Sequence, residues 1–306
     1  MTSLVTLERA WNSDLAWSFR QSRIARISAI VLLLLFAAAI FAPYLATQNP
    51  YDISQLSLMD SELPPAWADG GSIHYLLGTD NQARDVYSSI LYGLRLSLIV
   101  GFASVVLGAV VGVSLGLIGG YLGGIVDAAI MRFADVLLSF PAILVALLVN
   151  GIARGILPRD QQDAAAMWVL ILAIGLTNWV QYARTVRSST LVERNKEYVQ
   201  AARINGVSGR GIMLHHILPN VLGPVLVIAT INLGMAVLTE ATLSFLGVGM
   251  PATQPSLGTL IRIGNEYLFS GVWWVVIFPS VVLVLLVLAT NLMGDWLRDA
   301  LNPKLR

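Results

Sequence analysis

Cysteine is absent from the 306 residues, which excludes disulfides, thiolate metal sites and cysteine nucleophiles without fixing a compartment. Charge is scarce: 12% of the residues are Asp, Glu, Lys or Arg, against about 25% in an average soluble protein. Together with 56% hydrophobic residues and a mean hydropathy of +0.73, that deficit defines an integral membrane protein. Lysine is nearly missing. Lys196 and Lys304 are the two present and neither follows a glycine, so the chain lacks the Gly-Lys-Ser/Thr loop with which P-loop enzymes cradle ATP phosphates. The three histidines, His74, His215 and His216, have no His or carboxylate at metal-ligand spacing, and no metal site is expected. No catalytic residue is assigned. A net charge of +1 without a basic, aromatic-interleaved cluster points to no nucleic-acid partner. Polar stretches between the apolar runs fall short of the roughly 50 residues a soluble domain needs.

Six apolar runs are present. Residues 1–26 are polar and end in Arg20, Arg23 and Arg26, which place this segment in the cytoplasm. The run 27–45 follows. A cleaved signal peptide is the competing reading, but the polar leader is long and no clean cleavage context follows Pro43. A large acidic external loop occupies 46–92, with Asp52, Asp60, Glu62, Asp69, Asp80 and Asp85. At its end Thr79-Asp80 can cap a short helix, while Arg84 and Arg95 can snorkel at the interface. The second span, 96–118, carries Gly108, Gly112 and Gly116 on one face, a small-xxx-small pattern for close helix packing. The third, 125–149, holds Asp127, Arg132 and Asp135. Intramembrane charges cost about 2.5–3.5 kcal/mol each on insertion scales, so these must pair, face protein or lie near an end. Arg132 and Asp135 stand at i, i+3 and can pair together, and all three are candidates for lining a path or for pairing between helices.

Residues 150–166 read as a second external loop and 167–182 as the fourth span. The fifth, 221–247, is interrupted at Gly223-Pro224 and contains Asn232 and Glu240, candidates for path-lining or interhelical hydrogen bonding. The sixth, 272–292, is entered by Trp273-Trp274, an interfacial aromatic anchor. The domain plan is therefore a segment 1–26, a first span and loop 27–95, a core 96–292 with an internal loop 184–222, and a tail 293–306.

Between the fourth and fifth spans lies the stretch around which the chain is organised. Residues 197–204 are helix formers with Ala201 and Ala202 side by side. Asn205-Gly206 then stops the helix, because glycine takes the left-handed conformation without a Cβ clash. A second short helical run follows Gly211, and Pro219 opens the next long helix. Arg184, Arg187, Arg194, Lys196, Arg203 and Arg210 outnumber Glu193 and Glu197, which puts this helix–turn–helix knob on the cytoplasmic surface.

The stretch resembles the cytoplasmic loop of ABC-importer permeases, in which Glu-Ala-Ala, three residues and Gly precede a later Leu-Pro. Ala201, Ala202, Gly206, Leu218 and Pro219 match, and Gln200 stands where the family has Glu. The segments Leu77–Val86 and Tyr92–Leu98, then Glu240–Gly249 and the C-terminal tail, are similar to the dipeptide, oligopeptide and nickel branch. Ala83 replaces a usual Gly, and Leu257 a frequent Trp. The resemblance implies an all-α, six-span type I permease fold in the bacterial inner membrane, with both termini cytoplasmic. It implies a coupling loop that includes Glu197, Gln200, Ala201, Ala202, Gly206, Leu218 and Pro219. Implied partners are a sister permease, two ATPase subunits that carry ATP and Mg, and a periplasmic solute-binding protein, beside membrane lipid; this chain itself needs no cofactor. A proton-driven secondary transporter working through Asp127, Asp135 or Glu240 is the alternative. The transported solute is not specified by the sequence.

Overall fold

The structure, a computed structural model, describes residues 14–301 apart from residues 53 and 55. Residues 1–13 and 302–306, including Lys304, lie outside the described residues. Regular structure among the described residues is helical, with one isolated bridge between Thr79 and Asp85. Helix α1 (Asp14–Gln21) leads into α2 (Arg23–Ile40), whose N-cap Ser22 accepts from the Ala25 amide. Proline at the start of the short α3 (Ala42–Leu45) resets the chain into the external loop.

Asp85, not Thr79-Asp80, caps the next helix: its carboxylate accepts from the amides of Tyr87 and Ser88. Helix α4 (Val86–Leu122) is 37 residues long, about 55 Å at 1.5 Å per residue. It therefore outruns an apolar bilayer core of about 30 Å. Gly123 and Gly124, both at positive φ, turn the chain into α5 (Gly124–Leu138). The third span is not one helix. Ser139-Phe140-Pro141 breaks it, and α6 (Ala142–Ile156) leaves at 92° to α5. Proline there disfavours helical geometry in the residue before it and removes a helix donor. The 150–166 segment is mostly helical too, since α7 (Arg159–Glu193) begins before the fourth apolar run and continues beyond it for 35 residues in all.

The surface segment holds α8 (Glu197–Ile204) and α9 (Gly209–Gly211), and after it come α10 (Leu218–Phe245), α11 (Leu257–Tyr267) and α12 (Trp274–Ala300). Gly223-Pro224 does not interrupt α10, which runs through Pro224. Counting the bent α5–α6 pair as one, six segments among the described residues are long and apolar enough to cross a membrane.

Helices α4 and α7 form the most extensive pairing. The Gly108, Gly112 and Gly116 stripe lies against Gly175, Trp179, Tyr182 and Ala183 of α7. A methyl on Gly116 would stand 2.5 Å from the Ala183 carbonyl oxygen, so only glycine permits this approach. One apolar cluster joins α2, α4, α10, α11 and α12, another joins α4, α6, α7 and α10. Outward faces carry exposed Leu33, Phe102, Leu172 and Val284, as helices solvated by lipid do.

The outer loop closes on this bundle through buried polar contacts. Arg84 is 1% exposed and pairs with Asp80 at 2.6 Å, while its Nη1 donates to the Ala252 carbonyl. It does not snorkel. Trp274 is buried and its indole N–H donates to Thr79 O at 2.9 Å; Trp273 alone of the pair is exposed. The supposed aromatic anchor is half a structural clamp.

Candidate functional site

The segment between α7 and α10 folds as a knob. Helix α8 (Glu197–Ile204) has Glu197 in its first turn and Arg203 in its last, both signs favoured by the helix dipole. Its end is a Schellman cap: the Gly206 amide donates to Arg203 O and the Val207 amide to Ala202 O, each at 3.0 Å. Gly206 adopts φ +75°, as the motif requires. Ser208 then caps the short α9 (Gly209–Gly211) by accepting from the Gly211 amide. The run after Gly211 is a π-helical turn, Ile212–Ile217, continuous with α10. Pro219 is in the first turn of α10, but the π-helical turn runs directly into it, so it lies within one helical run from Gly209 to Phe245.

Burial divides α8 sharply. Val199 and Ala202, one turn apart, pack with Ile212, Ile217 and Val221 against Leu117, Tyr182 and Val186 of α4 and α7. Glu197, Gln200, Ala201 and Arg203 face outward, and Ile204 is 87% exposed at the tip. Leu218 is half-buried and Pro219 exposed beneath them.

Side chains outside the predicted set hold the knob. Glu193 accepts from Lys196 at 2.6 Å and from the Tyr198 hydroxyl at 2.5 Å. Asn220 donates to Tyr198 Oη and to His216 O, tying α8 to the root of α10. Partial burial, then the Glu193 carboxylate, pushes the Tyr198 phenol up to about 12, so it remains a donor at neutral pH. Arg194 donates to Gly120 O and Tyr121 O at the C-terminus of α4, and Arg203 lies over the Tyr121 ring at 5.3 Å. The Tyr-Glu-Lys spacing is a weak sequence signal because its closing partner, Asn220, lies 22 residues on.

The two carboxylates of α5 find partners across helices. Asp127 takes a two-pronged bond from Arg187, the Nη2 arm at 2.6 Å, and Asp135 takes one from Arg184 at 2.7 Å. Asp135 thus pairs with Arg184 and not with Arg132, which is exposed on α5. Asn232 is buried on α10 beside Tyr182. Glu240 is fully buried; Ser97 and Ser244 each donate to it at 2.7 Å. These same serines accept from the Leu257 and Met250 amides, so Glu240 sits at the centre of the junction between α4, α10 and α11. The five residues are not brought together into one site. A nucleophile-type spacing, Gly112-Val113-Ser114-Leu115-Gly116, does occur, but it lies inside α4 with Ser114 Oγ donating to Val110 O. That is helix packing and not the strand–turn–helix elbow a serine nucleophile uses. Among the described residues no group of three or more His, Asp or Glu has metal-site geometry.

A multi-span helical bundle carrying such a knob has the architecture of an importer permease. Among solved structures it is similar to the MetNI methionine ABC transporter in inward-facing conformations, with a TM-score of 0.55 and 23% identity over 70% of this chain and 96% of that one. That likeness is one of fold. Residues 112–306 match the family model described as binding-protein-dependent transport system inner membrane component, and residues 10–65 match the N-terminal transmembrane domain of oligopeptide transport permease C. The dipeptide transport system permease protein DppC of Haemophilus influenzae is 40% identical over 288 residues, 94% of this chain and 93% of that protein. The oligopeptide transport system permease protein OppC of Bacillus subtilis is 35% identical over 293 residues, 96% of this chain and 90% of that one. The chain belongs to the family of binding-protein-dependent transport system inner membrane components, multi-pass permeases of the inner membrane.

Proposed function

We propose that the chain is one transmembrane subunit of an ATP-driven importer and, with a sister permease, forms the path for di- or oligopeptides delivered by a periplasmic solute-binding protein. Two ATPase subunits would carry ATP and Mg, with no cofactor on this chain. One observation carries the proposal: α8 has a packed inner face and an outer face, Glu197, Gln200, Ala201, Arg203 and Ile204, left for a partner. The knob is seated directly on α4 and α7, each over 30 residues long. A push on it is therefore delivered along two stiff rods joined by the glycine stripe. Such movement would exchange inward- and outward-open packings, each favoured by a different ligand.

Orientation follows from charge. Arg184, Arg187, Arg194, Lys196, Arg203 and Arg210 favour a cytoplasmic knob. Phe19 and Trp296 stack edge to face at 5.3 Å, which sets α1 and the end of α12 at the same end of the bundle. Arg298 lines the same cleft as Gly223 and Pro224 at the root of α10, and this supports cytoplasmic termini. The peptide class is supported by the dipeptide and oligopeptide transport for which the relatives at 35–40% identity are named. Proton-driven transport by this chain alone is the weaker reading, because Asp127 and Asp135 are in ion pairs and Glu240 is held by two hydroxyls. Reconstitution tests the choice. Dipeptide uptake that needs ATP, the ATPases and the binding protein is expected; uptake by this chain alone under a pH gradient would overturn the proposal.

A further inference from the structure

At the end of the bundle opposite the knob, α6, the start of α7 and the loop after α10 enclose a cavity of about 130 Å³. Its walls include Asn150, Arg154, Gln162, Asp163, Gly247 and Arg262. Three features make it a built site and not a gap in packing. Asn150 is 6% exposed; its amide nitrogen donates to Val248 O, while its Oδ1 is buried and has no hydrogen-bond partner. A buried acceptor left unpaired costs free energy, so it is retained where a donor arrives. Arg262 Nε is likewise buried and unpartnered, although the same guanidinium touches Glu266 through Nη1 at 3.3 Å. Arg154 is held over the cavity by Nη2 donating to Gly247 O at 3.3 Å, and Gln162 anchors the Arg154 and Leu157 carbonyls behind it. Two guanidiniums, Arg154 and Arg262, stand beside Asp163 in the lining, with Glu266 against the outer side of Arg262.

We propose that this cavity binds the free carboxylate end of a short peptide on the external side of the permease, which rests on the importer reading above. The two arginines take the carboxylate, and Asn150 Oδ1 accepts from the adjoining peptide N–H. An ammonium end would leave Arg262 Nε without an acceptor, and an apolar group would leave both Asn150 and Arg262 unsatisfied. The cavity opens to the outside, so the carboxylate enters it and the rest of the solute projects through the mouth. A subsite that grips the invariant end of every peptide and leaves the side chains outside suits a permease that passes many sequences.

The test uses the assembled transporter in nanodiscs, without binding protein, and a dipeptide ending in a diazirine-bearing residue, as the free acid and as the C-terminal amide. Peptide uptake by the complete system in proteoliposomes is measured on the same preparation. The expected result is photolabelling of cavity-lining residues by the acid in about 10- to 100-fold excess over the amide, the discrimination a charge-assisted hydrogen-bonded pair provides. Arg262→Gln and Arg154→Gln should each erase that preference, while Arg262→Lys restores part of it and shows that the fold is intact. Intact peptide uptake with labelling that is absent, lies elsewhere or is equal for acid and amide overturns the subsite and leaves the importer reading standing. Absence of peptide uptake by the complete wild-type system overturns the importer reading and the subsite with it.

Discussion

The two ends of the bundle are built on opposite plans. At the outer end polar groups turn inward: Asp80 and Arg84 pair in the interior, Trp274 donates to Thr79 O, and Ser97, Ser244 and Glu240 pin the loop after α10. At the knob the polar groups lie at the surface, apolar Val199 and Ala202 form the seat, and a largely exposed Ile204 caps the tip. Around Asp80 and Glu240 the outer end closes on the chain's own backbone. The knob closes on its base and leaves its outer face to another molecule. A buried pair must be complete to be tolerated, whereas an exposed network can be rearranged at low cost.

The largest effect should come from splitting the outer pair. Arg84→Ala leaves Asp80 as an uncompensated buried charge, a loss of about 3–5 kcal/mol. The expected outcome is a sharp fall in folded yield and thermal stability in mild detergent. An unchanged melting temperature would break the contrast between the two ends. Next in size is the helix seam. Gly112→Leu must push α7 away from α4, since even a Cβ there would run into the backbone of Trp179 and the side chain of Tyr182. Overpacking of this kind costs about 1–3 kcal/mol, and monodispersity with unfolding by denaturant reads it.

At the junction, Glu240→Ala leaves the Ser97 and Ser244 hydroxyls without their acceptor, about 1–3 kcal/mol for buried donors. Glu240→Gln keeps an acceptor and should recover most of it in the same melting assay. The smallest stability change belongs to the knob. Gly206→Ala places a methyl where nothing lies within 4 Å, so the cost is that of positive φ alone, about 1 kcal/mol. Gly206→Arg should insert normally and yet abolish uptake, because its side chain projects into the space reserved for a partner. Full uptake by that variant would remove the coupling role.

What was legible in the sequence was what local pattern controls. Gly206 marks a helix end through its own backbone preference, and Gly108, Gly112 and Gly116 share a face because helical geometry sets a four-residue period. What was hidden depends on distant partners. Asp135 has Arg132 one turn away, but Arg184, 49 residues on, reaches it from the neighbouring helix. Arg84 resembles an interfacial anchor until Asp80 and Ala252 O enclose it. The bend before Pro141 had a local signal that the continuous apolar run concealed, whereas Pro224, in an equally apolar run, bends nothing enough to end α10. Proline fixes a preference; packing decides whether the helix yields.

The most direct measurement uses the absence of cysteine. Ala201→Cys and Ile204→Cys each give a single thiol on the outer face of α8, and Met59→Cys gives one in the exposed outer loop. Membranes containing the whole transport system would be treated with a short maleimide–benzophenone reagent, photolysed, and the adducts identified. Cross-links from positions 201 and 204 to a nucleotide-binding ATPase subunit, absent from position 59 and altered by ATP, are the predicted result. Equal labelling at all three positions, or adducts from 201 and 204 with no ATPase among them, would contradict the account.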